Sequence, residues 1–270
     1  MATETMATLD DRAWQVPAFD CTELAPRRTR YCVCVPVINE GERIRKQLGE
    51  MREFAEHADI LICDGGSKDG SLGEELLRAS GVRTLLVKTG PGKLSAQLRM
   101  GYSYALREGY EGIVTIDGND KDGVDAIPRF LKELDAGVDL IQGSRFVPGG
   151  EAINTPKIRW LAIKLMHAPV MRWASGFPYT DTTNGFRGYS RRYLLDPRVQ
   201  PFRDVFDTYE LLAYLSVRGP QLGFRTIEVP VCRHYPAKGK TPTKIGMVRG
   251  NLRLMRILFS SATGKYNPPA

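Results

Sequence analysis

The feature that most constrains this chain is an alternation, over residues 31–144, of short apolar runs with stretches of helical spacing. The run YCVCVPVI at 31–38 is apolar, rich in β-branched residues and too short for a typical helix, so it reads as a buried strand. Ile44, Leu48, Met51 and Phe54 then recur at helical intervals across 42–56. DILIC at 59–63, residues 83–87, GIVTI at 112–116 and DLIQGS at 139–144 read as further strands, with helices expected at 71–79, 94–107 and 124–134. Strand and helix in turn, joined by short loops, predict an α/β chain: a doubly wound, mostly parallel sheet with helices on both faces. Ligands of such sheets bind beyond the carboxyl ends of the strands. The polar segments stand at those ends: Asn39-Glu40, Asp64-Gly65-Gly66, GPGK at 90–93 and DGNDKDG at 117–123.

After residue 150 the pattern changes. Residues 156–174 predict a helix or helix pair interrupted at Pro169. TDTTNGFRGYS follows at 180–190, then a helix near 208–217, a strand FRTIEVPVC at 224–232, a basic loop HYPAKGKTPTK and a last helix at 245–260. The expected organisation is a flexible N-terminal arm at 1–29, a catalytic domain at 30–240 and a basic amphipathic helix and tail at 241–270.

Composition narrows the function classes. The chain has 270 residues, 42% of them apolar, enough for one large domain or two small ones. The net charge of +7 is uneven: from 218 to 270 there are ten Lys or Arg against Glu228 alone, so residues 1–217 sum to −2. A basic end suits an anionic partner such as phosphate, phospholipid or nucleic acid, while the acidic strand-end loops argue against nucleic acid at that face. The opening residues do not read as a signal peptide, and no apolar run approaches the roughly 20 residues that cross a bilayer. The expectation is a cytoplasmic protein, with a peripheral position on the inner face of a membrane left open. Five cysteines at 21, 32, 34, 63 and 232 include no Cys-x-x-Cys and read as reduced, largely buried thiols.

Two motifs carry chemistry. In DGGSKDGS, Asp64 ends a strand before two glycines that let backbone approach a ligand; the alternative is a tight turn capping the helix near Ser71. In DGNDKDG, Asp117, Asn119, Asp120 and Asp122 put four side-chain oxygen groups within six residues, which suits Mg²⁺ or Mn²⁺ together with substrate phosphates, or else a solvated acidic turn. The spacing does not fit an EF-hand.

PVINE, DGGSKDGS, DGN, GPGKLSAQLRMGYSYAL, GSRFVPGG and TNGFRGYS together resemble family 2 glycosyltransferases of the GT-A fold, and most of all the dolichol- or polyprenyl-phosphate sugar (mannose) synthases. The resemblance runs from Tyr31 to Lys244. It implies a nucleotide-sugar donor, GDP-mannose or a UDP-sugar, lined by Pro36, Val37, Asn39, Glu40, Asp64, Gly66, Lys93, Asp117, Gly118 and Asn119. It also implies a metal at Asp117 and Asn119, the two ends of an Asp-x-Asp motif whose second acid is here an amide; Asp120 is a compensating ligand candidate. Arg145 and Arg159 match positions that hold an acceptor phosphate, with Arg187 and Lys244 as further candidates. Inverting transfer to a polyprenyl phosphate is the leading expectation, with Asp117 and Arg145 catalytic. Transfer to a hydroxyl, with Asp207 or Glu210 as base, is the second, and a non-catalytic basic binding module the third. WLAIKLMHAPVMRW at 160–173 and the last helix, with Ile245, Val248, Leu252, Met255 and Phe259 on one stripe, suit either a membrane surface or an ordinary core.

Overall fold

The computed structural model describes residues 9–236 and 249–269. Its centre is an eight-stranded sheet built from β1 (Phe19–Glu23), β2 (Tyr31–Val37), β3 (Asp59–Asp64), β4 (Val82–Lys88), β5 (Gly112–Thr115), β6 (Leu140–Ser144), β8 (Arg187–Ser190) and β9 (Thr226–Pro230), in the order β1-β4-β3-β2-β5-β8-β6-β9. β4, β3, β2 and β5 are parallel, as the alternation predicts. Every residue of β2 and β3 is buried. Val33 and Val35 face one core with Ile44 and Leu48, while Cys32 and Cys34 face the other with Leu98. α1 (Glu42–Met51) and α4 (Ile127–Asp135) cover the first face; α3 (Leu94–Arg107) and α8 (Glu210–Gln221) cover the second.

β2 is the switch point. The chain steps from β2 outward to β3 and β4, then crosses back to β5 on the other side of β2. A crevice therefore opens beyond the carboxyl ends of β2 and β5, the place where doubly wound sheets hold ligands. The loops are tightly set there: Gly118 N donates to Pro36 O at 3.2 Å, and a Cβ on Gly118 would come within 2.6 Å of Val37 Cγ2.

Four features differ from expectation. The arm is not loose where it is described: β1 pairs antiparallel with β4, and Trp14 stacks on Phe202 at 3.9 Å. β8, too short and polar to be read as a strand, lies antiparallel between β5 and β6. The expected strand at 224–232 breaks at Val231, and β10 (Cys232–His234) instead pairs in parallel with β7 (Glu151–Ile153). The expected helix at 156–174 is α5 (Lys157–Ala162), a π-helical turn at Ile163–His167 and α6 (Ala168–Ser175) with Pro169 in its first turn, where a missing N–H costs least.

The remaining helices are α2 (Glu74–Ala79), α7 (Arg191–Leu195) and α9 (Arg249–Ala262). α9 is not a detached tail: Leu258 packs with Met171, Tyr179 and Val217. All five cysteines are free, and Cys32, Cys34 and Cys63 are buried as expected.

Gly101 shows how tightly α3 sits on the sheet, since a Cβ there would lie 2.3 Å from Cys63 Sγ and 3.5 Å from Cys34 Sγ. Gly101→Ala is expected to destabilise the fold by about 1–3 kcal/mol through overpacking, read as a lowered midpoint with unchanged slope in urea denaturation.

Candidate active site

The carboxyl edge of the sheet gathers four loops. After β2, Asn39 takes a left-handed φ of 48°; its Oδ1 accepts from Lys68 N at 2.8 Å, and its own N–H donates to Ser67 Oγ at 2.9 Å. After β3, the buried Asp64 carboxylate accepts from Ser67 N at 2.9 Å and Ser67 Oγ at 2.6 Å and so closes the turn, but it caps no helix, since α2 starts at Glu74 without a side-chain cap. Gly65 leaves no room for a Cβ, which would meet Gln97 Nε2 at 2.8 Å. That amide donates to Val37 O and Cys63 O, tying the first two loops together. After β4, the 90–93 loop carries Lys93 at the start of α3.

The fourth loop, after β5, holds the acidic motif. Asp117 meets Arg233 Nη2 at 3.4 Å, and Asp122 forms a short, buried ion pair with Arg233 Nη1. Burial opposes charge on Arg233, but Asp122 and then Asp117 outweigh it and raise its pKa. Gly185 closes over Asp117: a Cβ there would stand 2.5 Å from Asp117 Oδ1. β8 accounts for this contact, because an antiparallel strand begins at the edge where its parallel neighbours end.

Asp120 does not join the cluster. Its backbone is left-handed at φ 54°, its N–H is held by Gln47 Oε1 at 2.8 Å, and its carboxylate pairs with Lys46 at 2.8 Å. It is removed from the candidate metal ligands because it is spent on α1. No group of three His, Cys, Asp or Glu among the described residues has metal-holding geometry. Asn119 Oδ1 and Asp122 Oδ1 are nonetheless buried without a hydrogen-bond partner among those residues. Acceptor oxygens orphaned beside Asp117 fit a hard cation that takes its other ligands from a diphosphate or water.

The expected phosphate-binding residues separate. Arg159, on α5, donates to Tyr235 OH at 2.8 Å and has no acidic partner among the described residues. Arg145 is buried in a bidentate pair with Asp181, at 2.6 and 2.9 Å, and donates to Thr183 Oγ1; its Nη1 is buried without a partner. Arg187 is corrected to a structural role: it is buried, and its donors go to the carbonyls of Thr182, Asn184 and Leu212 and to Ser216 Oγ. Lys244 lies outside the described residues. Glu210 caps its own helix through Thr208, whereas Asp207 is exposed with its carboxylate against Gly92 of the donor-side loop.

Three residues were missed by sequence reasoning: Arg233, Tyr235 and Lys121. The Tyr235 ring has Arg159 at 5.4 Å, Arg233 at 5.8 Å and Lys121 at 5.9 Å. Burial alone would raise the Tyr235 phenol pKa, but Arg233, Arg159 and Arg145 overcome it and hold it below its ordinary value. The same crowding, after burial, lowers the pKa of Lys121. The sequence signal was the Arg-His-Tyr that ends the β9–β10 stretch, hidden within a generally basic run.

The switch point thus carries an acidic strand end facing clustered guanidiniums, an edge suited to a phosphate-bearing ligand. The Glycosyl transferase family 2 profile matches residues 32–196, and the chain belongs to that family. It is a glycosyltransferase of the GT-A fold. It is 31% identical over 205 residues to the polyprenol monophosphomannose synthase of Mycolicibacterium smegmatis, covering 75% of this chain and 76% of the relative. It is 29% identical over 210 residues to the undecaprenyl-phosphate mannosyltransferase of Micrococcus luteus, covering 75% and 82%. Among solved structures, the glucosyl-3-phosphoglycerate synthase of Mycobacterium tuberculosis, in complex with Mn²⁺, UDP-glucose and glycerol 3-phosphate, superposes with a TM-score of 0.62 at 17% identity, over 87% of this chain and 80% of that one.

Proposed function

We propose that this glycosyltransferase moves a hexose, mannose by analogy with its named relatives, from a nucleoside-diphosphate sugar to a polyprenyl phosphate. The observation that carries the reading is the grouping of Arg145, Arg159, Arg233 and Lys121 around Tyr235 beside Asp117. Arg145 and Arg233 are offset by Asp181, Asp122 and Asp117, but the donors left over suit a second phosphate beside the donor diphosphate. Arginine forks suit phosphate oxygens, and Arg159 and the unpartnered Nη1 of Arg145 supply donors.

In this mechanism, Asn39, Glu40, Asp64 and Lys93 border the nucleoside at the first three loops. Asp117 and Asn119 would hold Mg²⁺ or Mn²⁺, which supplies charge stabilisation for the departing nucleoside diphosphate. Arg233 and Lys121 add positive potential to the same side. Arg145 and Arg159 orient the acceptor phosphate. One of its oxygens attacks the anomeric carbon from the face opposite the leaving group, so that the anomeric centre inverts. A phosphate is already ionised near neutral pH, so the step requires no base, in keeping with the position of Asp207 against the donor-side loop.

The acceptor lipid implies a membrane surface. No described helix is long and apolar enough to cross a bilayer. The α5–α6 segment instead exposes Ile158 at 83%, Leu165 at 73% and Trp173 at 76%, and α9, which packs against α6, exposes Leu252 and Phe259. Arg172, Arg253 and Arg256 are exposed on the same helices. Apolar side chains interleaved with arginines suit peripheral docking on anionic lipid, on the cytoplasmic face.

Three outcomes test this reading. In calorimetry, nucleoside diphosphate should bind more tightly with Mg²⁺ or Mn²⁺ than with chelator. Asp117→Ala should abolish that difference and Asp120→Ala should keep it; equal affinity in all three conditions removes the metal. Arg159→Ala should raise the KM for polyprenyl phosphate by about ten- to a hundredfold, the loss of one charged contact, with nucleoside diphosphate affinity within about twofold. A wild-type enzyme that glycosylates a neutral alcohol as fast as the lipid phosphate would move the base role to Asp207. Finally, the protein should float with anionic liposomes at low salt and be released at high salt, and Leu165→Glu with Trp173→Glu should prevent flotation.

A further inference from the structure

Residues 14–18 lie outside the region matched by the family, yet they touch the loop after β4 in the candidate active site and the 202–204 segment ahead of α8. Gln15 N donates to Phe202 O at 2.8 Å, and Gln15 Oε1 accepts from Asp204 N at 2.8 Å. Trp14 stacks on Phe202, and Arg107 lies over the Trp14 ring at 5.6 Å. Three residues on, Ala18 O accepts from both Thr89 N at 2.9 Å and Gly90 N at 2.8 Å. Gly90 is pressed so closely on this segment that a Cβ would meet Ala18 N at 2.7 Å. One short strap thus holds the 202–204 segment at one end and the 89–90 segment at the other.

Those two segments also lock to each other. Lys93 N donates to Asp207 O at 3.0 Å and Ser95 N to Thr208 O at 2.8 Å, while Gly92, at φ 102°, leaves a Cβ only 2.7 Å from Asp207 Oδ1. Arg99 closes the triangle. It is buried on α3 with no ion pair among the described residues, and it spends its guanidinium on Phe206 O at 3.0 Å and, through a short contact, on Gln15 O. A buried cation without a carboxylate is costly unless its donors are used, and here Nε and Nη1 are used to join separate segments.

We propose that residues 14–18 are a clamp on the donor site, with Arg99 as its tie, and that by fixing the 89–93 loop they set the affinity for the nucleoside diphosphate. Arg99, Trp14 and Gln15 are positioning residues, acting through Gly90–Gly92 and Lys93. The proposal rests on the donor-site reading above. A loop held by backbone hydrogen bonds from two sides loses little freedom when a nucleotide binds, and releasing it moves that ordering cost into the binding step. The clamp therefore acts on the donor and not on the acceptor, whose candidate residues Arg145, Arg159 and Tyr235 have no hydrogen bond to the strap among the described residues.

The test uses the full chain and measures GDP and UDP binding by calorimetry beside the two KM values. Trp14→Ala should weaken nucleoside diphosphate binding and raise donor KM by about tenfold, equivalent to ~1.4 kcal/mol, with kcat at saturating donor and acceptor KM held within about twofold. Gln15→Ala, an exposed side chain whose loss leaves the core intact, should shift donor KM in the same direction by about threefold, and Trp14→Phe should restore wild-type affinity by keeping the stack. A loss of fold in Trp14→Ala would show as a fall in kcat and a broadened thermal transition, and Gln15→Ala then decides. Unchanged donor affinity in folded Trp14→Ala and Gln15→Ala overturns the clamp alone. A wild-type chain that binds neither nucleotide overturns the donor-site reading, and the clamp with it.

Discussion

Asp117 and Asp122 leave the same strand end and reach one guanidinium, that of Arg233. Burial, with Asp117 nearby, raises the Asp122 pKa, and the guanidinium fixed between the two carboxylates works against that rise. Arg233 arrives from the far end of the chain. β9 runs parallel to β6, so it ends at the carboxyl edge, and the backbone bridge between Asp122 and Arg233 then fixes the register. The local charge is close to balanced once Lys121 is included. Such an edge attracts a bare divalent cation weakly. Under the proposed reading, the donor's diphosphate supplies the missing negative charge, and ion and nucleotide bind together.

The arginines near this edge show why residue type alone assigns no role. Arg187 and Arg159 are equally good phosphate ligands in isolation. Arg187 lies on a buried strand and is surrounded by carbonyls left over by the 180–186 loop and α8, which it satisfies. Arg159 lies on a half-exposed helix whose own backbone bonds are made, so its guanidinium reaches in to Tyr235. Arg145 stands between these cases, neutralised by Asp181 but with one donor still unmatched. What distinguishes them is the supply of acceptors around each, a property of the tertiary fold.

The parallel half of the sheet was legible because its strands are buried on both faces and therefore read as continuous apolar runs. Its polar strand ends followed directly, and with them Asp64, Asp117 and Asn119. β8 was not legible: Arg-Gly-Tyr-Ser has no strand signature, and it becomes a strand because β5 and β6 leave a ladder open on both sides. β1 was missed for a similar reason, as an edge strand with mostly exposed side chains. Asp120 could not be told from its neighbours, since one left-handed residue in the loop decides which acids face the crevice and which face Lys46. Arg233 and Tyr235 lay in a run whose charge was visible but whose direction was not.

α5 joins the candidate surface to the candidate site within six residues. Ile158 and Leu161 face outward, while Arg159 turns inward to Tyr235. Successive helical residues are displaced by only ~1.5 Å along the axis, so the polar and apolar contacts lie within one turn of each other. A lipid phosphate held by Arg159 would therefore have its hydrocarbon chain leave beside Ile158, Trp160 and Leu161 without crossing protein. Under the proposed reading, the inward arginine and the outward apolar face on one short helix serve a head group in the site and a tail in the bilayer.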